Sequence, residues 1–589
     1  MRQTLRWIAV WLVSGGILGT GSWVQAQTSR PTLVTEFELS KGKDTVHPTR
    51  VMDFYRKLAK QSKWVRIVNL GQGDGGRPIH LVVVAKGGIQ NPSQLGNRVV
   101  VMTNNGIHSG ESCGVDASQM LMRDLLRVMK NSSLLDNVVW VTIPIFNVGG
   151  HIQFSPHNRV NQVGPTQMGF RGNARNYDLN RDFAKVDTAN MRAFYKAFHR
   201  WKPHIFIDNH TTNGADYQHV MTYSLPPKES LPPSLAQLVY QSFKPQLEAI
   251  MTHRKFPLIP YVVLKKYGDL KKGLLGFVSS PRYSTGYTRL FNTIPILSEA
   301  HMLKTYKQRV LGTYALNDVV LRWASKNAKA LHQAKQKANR YAIGRTTYPL
   351  RWKRTKKFTL IPFLGFAYRN RLSPASGGRH VFYDRSKPRS WKIPFYNHSK
   401  PTLTLKVPQA YVVPQGWRGV VQRLKWSGVV MRRINKDTRY AVESLLMTQV
   451  SWAKKPYEGH HRPYKLRVEP VRQIRLFRKG DYIVPTNQAS SAYIIEMLEP
   501  MARDSFVSWN FFDTIFQQKE YFNGYLFAPL AEKILKSNPQ LRRIFYNRVR
   551  KEPAFAKSPY KRLQFIYQSS RYYEPVHKRY PVARMRGRK

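Results

Sequence analysis

The chain has 589 residues, 42% hydrophobic and 12% aromatic, enough apolar content for packed cores and incompatible with a wholly disordered or collagen-like polymer. It carries 95 Lys plus Arg against 33 Asp plus Glu, a formal charge of +62, while charged residues total an ordinary 22%. The excess is therefore a shortage of acids, each informative by its rarity, and the single cysteine, Cys113, excludes an intramolecular disulfide framework.

The N-terminus reads as a secretory signal: Arg2 and Arg6 flank a mostly apolar stretch over 7–18, and Val24-Gln25-Ala26 ends on a small residue. The expectation is cleavage after Ala26 and export to the periplasm or the extracellular space. The apolar stretch is short and Gly-interrupted against the roughly 20 residues that a membrane span needs, and no later stretch is long and apolar enough to span. A basic excess of this size favours non-specific contact with polyanions. The absence of zinc-finger spacing, an RNA-binding aromatic signature or a Walker loop argues against a dedicated nucleic-acid reader.

From about residue 81 to 303, short β-branched runs alternate with helical stretches, the pattern of an α/β domain. The runs over 81–85, 99–103, 138–146, 205–207 and 294–297 predict strands. Apolar spacing of three and four predicts helices over 114–129 and 188–201, and a polar helix over 322–341 closes at Gly344 and Pro349, a candidate domain boundary. Beyond it the texture becomes β-rich over 358–363, 403–413 and 473–484, the last with a Lys479-Gly480-Asp481 turn. Helical signals return from about Met497, including Asn538-Pro539 as a cap and first turn, and the aromatic stretch 505–525 reads as packing.

Four acid- or donor-bearing clusters carry the chemistry. His108 and Glu111 lie three apart just beyond the apolar run 99–103, a spacing that lets both ligate one zinc ion but that also fits a solvated turn. His210 ends a buried run in His-Ile-Phe-Ile-Asp-Asn-His, and ligands at the carboxyl ends of strands can meet. Such a His, Glu, His set leaves a position open for water, as catalytic zinc sites do. Glu299 sits at the end of another apolar run, placed for general base and acid work, with His301 beside it as a rival. Finally, 169–182 is dense in Asn and Arg donors suited to a carboxylate or an oxyanion.

With these motifs in this order, the chain from about residue 44 to 310 resembles the zinc carboxypeptidases of the carboxypeptidase A type, in a longer bacterial secreted subgroup. The resemblance implies an α/β fold with a mixed eight-stranded sheet flanked by helices, here over 44–340. After it would follow a β-rich accessory region over 345–490 and a helical, basic region over 491–589, with residues 1–26 removed as signal. It implies one Zn2+ held by His108, Glu111 and His210, Glu299 as general base activating a zinc-bound water, and Arg171 steadying the oxyanion. Asn180 and Arg181 would clamp the substrate's terminal carboxylate, and Asp178 would orient a zinc-bound His. Tyr287 is the preferred match for a tyrosine that closes over substrate, with Tyr283 next. Asn147-Val-Gly-Gly150 departs from the Asn-Pro-Asp-Gly of many members, which leaves the geometry of that loop open. The implied activity is hydrolysis of C-terminal peptide bonds. The alternatives are a murein stem-peptide amidase, deacylation of an N-acylated amino acid, and a non-catalytic basic binding protein on the same scaffold.

Overall fold

A computed structural model describes residues 33–128, 133–212 and 214–586. The expected signal segment 1–26 and the tail 587–589 lie outside the described residues, as does Met129 at the end of one expected helix, which runs Cys113–Val128.

Among the described residues, nine strands belong to the first half: β1 (Val65–Gln72), β2 (Pro78–Val84), β3 (Val99–Asn105), β4 (Val138–Ile143), β5 (Ile205–Thr212), β6 (Met221–Ser224), β7 (Leu258–Pro260), β8 (Leu274–Leu275) and β9 (Ile294–His301). All but β8 form one mixed eight-stranded sheet in the order β1-β2-β4-β3-β5-β9-β6-β7. Its centre, β4-β3-β5-β9, is parallel, whereas β1 and β2 run antiparallel at one end. β3, β4 and β5 are buried along their whole length, as a parallel sheet covered on both faces requires. Alternation divides their side chains between two cores. Val99, Val101, Ile205 and Ile207 join the helices Cys113–Val128 and Tyr306–Lys326 on one face, and Val100, Met102 and Phe206 join Ala189–Trp201 on the other.

The expected polar helix over 322–341 is two helices, Tyr306–Lys326 and Ala328–Ile343, because Asn327 leaves helical geometry at φ −110, ψ 22. The second stops at Ile343 with Gly344 as its C-cap, the residue expected to close it.

The accessory strands form three sheets. Thr347–Arg354 pairs with Ser399–Lys406, and the long hairpin Thr359–Leu372 with Arg379–Tyr396 adds β8 of the first half as its third strand. A six-stranded sheet takes in Ala410–Val413, Thr438–Trp452, Pro463–Phe477 and Tyr482–Pro485, and also Ala583–Met585 from the end of the chain. The accessory half thus shares a core with the first. Tyr411, Leu424, Tyr493, Trp509 and Phe512 pack in the cluster that holds Phe194, Phe198 and Tyr287. The aromatic stretch 505–525 does serve as packing over Phe506, Trp509 and Phe512, and Asn538 caps Pro539–Lys551 by accepting from Leu541 N.

One consequence of that shared core is a stability term. Glu496 lies on the fully buried helix Ser491–Leu498 and accepts a 2.9 Å hydrogen bond from the Tyr348 hydroxyl. Burial pushes its carboxyl up to about 7, with Arg289 opposing. The neutral form is favoured by folding, so the stabilisation is complete below the unfolded value near 4.5 and is lost as pH rises to about 7. The loss is on the order of 3 kcal/mol across that window. Glu496→Gln keeps the acceptor and removes the titration. Urea denaturation is expected to rank it level with the wild type at pH 5 and above it at pH 8; equal midpoints at both would mean that Glu496 folds as a compensated anion.

Candidate active site

The functional side chains gather where the parallel strands end. β3 runs out through Gly106, at φ +62, into the turn that carries His108 and Glu111, just ahead of the helix Cys113–Val128. His210 stands near the end of the adjacent β5, and Glu299 is its direct partner in the parallel register with β9. Three neighbouring strand ends thus bring the candidate ligands and the carboxylate to one place.

Glu111 is the hub. Its Oε1 lies 3.1 Å from His108 Nδ1 and its Oε2 lies 2.9 Å from His210 Nδ1. The outer nitrogens are engaged from behind, His108 Nε2 at 3.0 Å from Asp178 Oδ1 and His210 Nε2 at 2.9 Å from Asp208 Oδ2. Each ring is therefore fixed by a carboxylate on its outer nitrogen while the inner one faces the shared centre, the arrangement that orients metal-bound imidazoles. One donor atom from each of His108, Glu111 and His210 lies within 4.8 Å of the others, and all three residues are buried. The donor chemistry, two imidazoles and a carboxylate with no thiolate, fits a zinc ion with an open position.

An anion buried this deeply needs partners. Glu111 receives the Thr211 amide at 3.0 Å and Arg159 Nη1 at 2.8 Å. Burial works against its charge, but His108 and Arg159 hold its carboxyl well below the usual range. Burial likewise opposes ionisation of Asp178, where His108, Arg171 and Arg181 outweigh it and hold the carboxyl low.

Glu299 has the opposite environment. It is 7% exposed at the wall of the cleft, and burial pushes its carboxyl up to about 8, with His210 pulling down and Glu111 and Asp208 pushing up.

Arg171, Asn180 and Arg181 come from the 169–182 segment. Asp178 caps the turn Leu179–Arg181 by accepting from Asn180 N at 2.9 Å, and it holds Arg171 through Nε at 3.1 Å and Nη2 at 2.8 Å. Asn180 Oδ1 accepts from Ser284 N at 3.0 Å, and the Arg181 guanidinium lies 4.7 Å from the centre of the Tyr283 ring. The Asn147 loop supports this segment from beneath. Asn147 caps Val148–His151 and donates to the Arg171 carbonyl at 3.1 Å. A Cβ on Gly150 would come within 2.4 Å of the Gly172 carbonyl, so glycine is required where the two loops touch.

The cleft, of about 690 Å³, is lined by the three candidate ligands, Glu299, Arg171, Asn180 and Arg181. Residues 51–250 match the zinc carboxypeptidase family. That match takes in His108, Glu111 and His210. Among its relatives, carboxypeptidase 2 of Trichophyton rubrum is 24% identical over 486 residues, covering 79% of this chain and 84% of the relative. Carboxypeptidase 2 of Trichophyton tonsurans is 23% identical over 486 residues, at 79% and 84%. Of solved structures, carboxypeptidase A from Helicoverpa armigera aligns at 14% identity and a TM-score of 0.36, covering 50% of this chain and 74% of that one. A metallo-carboxypeptidase from Burkholderia cenocepacia aligns at 16% identity and 0.33, covering 46% and 68%.

The structure does not bring Tyr287 to the cleft. That residue is fully buried, with its hydroxyl 2.7 Å from His199 Nε2 and its ring packed on Tyr195, Phe198 and Tyr493. The reason is local: Tyr283 is the extended cap residue before the helix Ser284–Arg289 and lines the cleft, whereas Tyr287 lies within the helix and turns into the core. His301 is buried behind the site, stacked on Tyr217 at 4.0 Å. Sequence reasoning missed Asp208, Arg159, Tyr261 and Arg503, the last three of which line the cleft. Only Asp208 had a legible signal, because it stands two residues before His210 on one strand and so shares its face.

Proposed function

We propose that the chain is an exported metallocarboxypeptidase that removes single residues from peptide C-termini, using one zinc ion at His108, Glu111 and His210. The observation that carries this reading is the combination, in one cleft, of that donor set, the buried Glu299 and the Asn180 and Arg181 donors. A bound zinc ion would supply Lewis-acid polarisation of the scissile carbonyl and lower the pKa of water to about 7.

This chain's own residues account for the rest. Glu299, raised by burial, takes the proton of the attacking water and passes it to the departing amine. Arg171, held by Asp178 through two nitrogens, offers its remaining Nη1 to the carbonyl oxygen as that oxygen gains charge. Asn180 and Arg181 hold the terminal carboxylate, with Arg181 laid against Tyr283. That clamp limits cleavage to the last peptide bond.

The test is mass spectrometry of a mixed pool of peptides and murein stem fragments after incubation with zinc-loaded protein. Free-acid peptides are expected to lose one residue at a time, and their C-terminally amidated counterparts to resist. Internal cuts, or equal loss from amidated peptides, would remove the clamp role of Asn180 and Arg181. Cleavage confined to the murein fragments would move the substrate to the cell wall.

A further inference from the structure

A second cavity, of about 800 Å³, adjoins the catalytic cleft and shares with it the wall 277–280 and Arg503. The first half contributes that wall, and the accessory half closes it with the strand Thr347–Arg354, the hairpin strand Pro463–Phe477 and the segment 502–508. It is an annex of the cleft built by both halves of the chain.

Its charge is one-sided. Arg282 and Arg462 spend their charge on Asp504, at 2.8 and 3.2 Å. Arg351, Arg354, Lys465 and Arg503 also line it, and among the described residues none of these four has a carboxylate within ion-pair distance. Two of them are nevertheless held in place by backbone oxygens, Arg351 Nε on the Met501 carbonyl at 2.7 Å and Arg354 Nη1 on the Gly276 carbonyl at 2.9 Å. The single acid of the lining, Glu496, is buried and pushed toward its neutral form. Burial, and after it the neighbouring Arg503, pull Arg351 below the ordinary guanidinium value. The four cations are exposed to the cavity, where a cluster of one sign concentrates anions, and Arg presents a fork that matches a carboxylate.

We infer that this annex is a subsite for acidic side chains of the peptide whose C-terminus occupies the catalytic cleft, so that the enzyme favours substrates with Asp or Glu near the scissile bond. The inference rests on the peptidase reading above, because an occupant that reaches through the shared wall must be covalently part of the substrate. Carboxylate side chains are the anions that a peptide offers there.

Matched peptides with the same last residue and either Glu or Gln at the neighbouring positions test it. The wild type is expected to show kcat/KM at least about tenfold higher for the Glu series at low salt, with the advantage shrinking in high salt. An Arg351→Gln and Arg503→Gln double variant should bring the ratio close to one. Arg542→Gln with Arg543→Gln, exposed on the helix Pro539–Lys551, removes the same charge elsewhere and should keep the ratio. Anisotropy of fluorescein-labelled Glu and Gln peptides on the Glu299→Gln chain gives a readout independent of turnover. Cleavage of both series at equal rates, or a ratio that the double variant leaves intact, overturns the subsite while sparing the peptidase reading. No cleavage of either, with Glu-peptide binding that the double variant abolishes, overturns the peptidase reading and keeps the cavity's anion site.

Discussion

Glu299→Gln is expected to lower kcat by about 10²–10⁴ while leaving the zinc content and peptide binding in place, the range for a lost acid or base. The substitution is nearly isosteric, and Glu299 makes no hydrogen bond to the Glu111, His108 and His210 cluster that it would disturb. What it removes is a proton acceptor. The carboxyl stands beside His210 in the register of β5 and β9, at the wall of the cleft. Single-turnover kinetics with metal analysis by atomic emission checks this. Full activity in a zinc-replete variant would place the base elsewhere, and loss of zinc would make Glu299 part of the metal's support.

Arg171→Met should cost about 10²–10³ in kcat with a smaller change in KM, the signature of a donor used mainly as charge develops on the substrate. Asp178 accepts from Nε and Nη2 of Arg171, so the guanidinium is anchored, and Nη1 lies 3.7 Å from Glu111 on the side of the ligand centre. Burial opposes its charge, but Asp178 and Glu111 hold the guanidinium above its ordinary value, so it stays protonated. Arg171→Lys is expected to recover only part of the rate, since one ammonium cannot both answer the Asp178 fork and reach the substrate. Steady-state kinetics on a free-acid peptide decides it. A raised KM at unchanged kcat would make Arg171 a ground-state binding group.

The two predictions draw on residues of different legibility. Glu299 was legible because acids are scarce in this chain and because an apolar run ending in a carboxylate is a strand that emerges at a site. Arg171 was legible only through the order of motifs around it, since a loop dense in Asn and Arg can equally face water. Tyr287 shows where this reasoning stopped. A helix that begins between Tyr283 and Tyr287 sends the two side chains in different directions, and no spacing rule says which of them meets the substrate.

The accessory half repeats the lesson at larger scale. Its β texture and the helix end at Gly344 were visible in composition, but not that Ala583–Met585 returns to the sheet of Ala410–Val413, or that Arg503 reaches the wall of a cleft built some 200 residues earlier. The sequence alone pointed to the candidate donors, the carboxylate and the α/β frame that carries them, because strand ends and rare acids are local features. The tertiary structure alone decided which tyrosine faces the cleft, that Asp208 and Asp178 brace the two imidazoles, and that a basic annex adjoins the site. Those depend on distances between segments far apart in the chain, which packing sets and periodicity cannot encode.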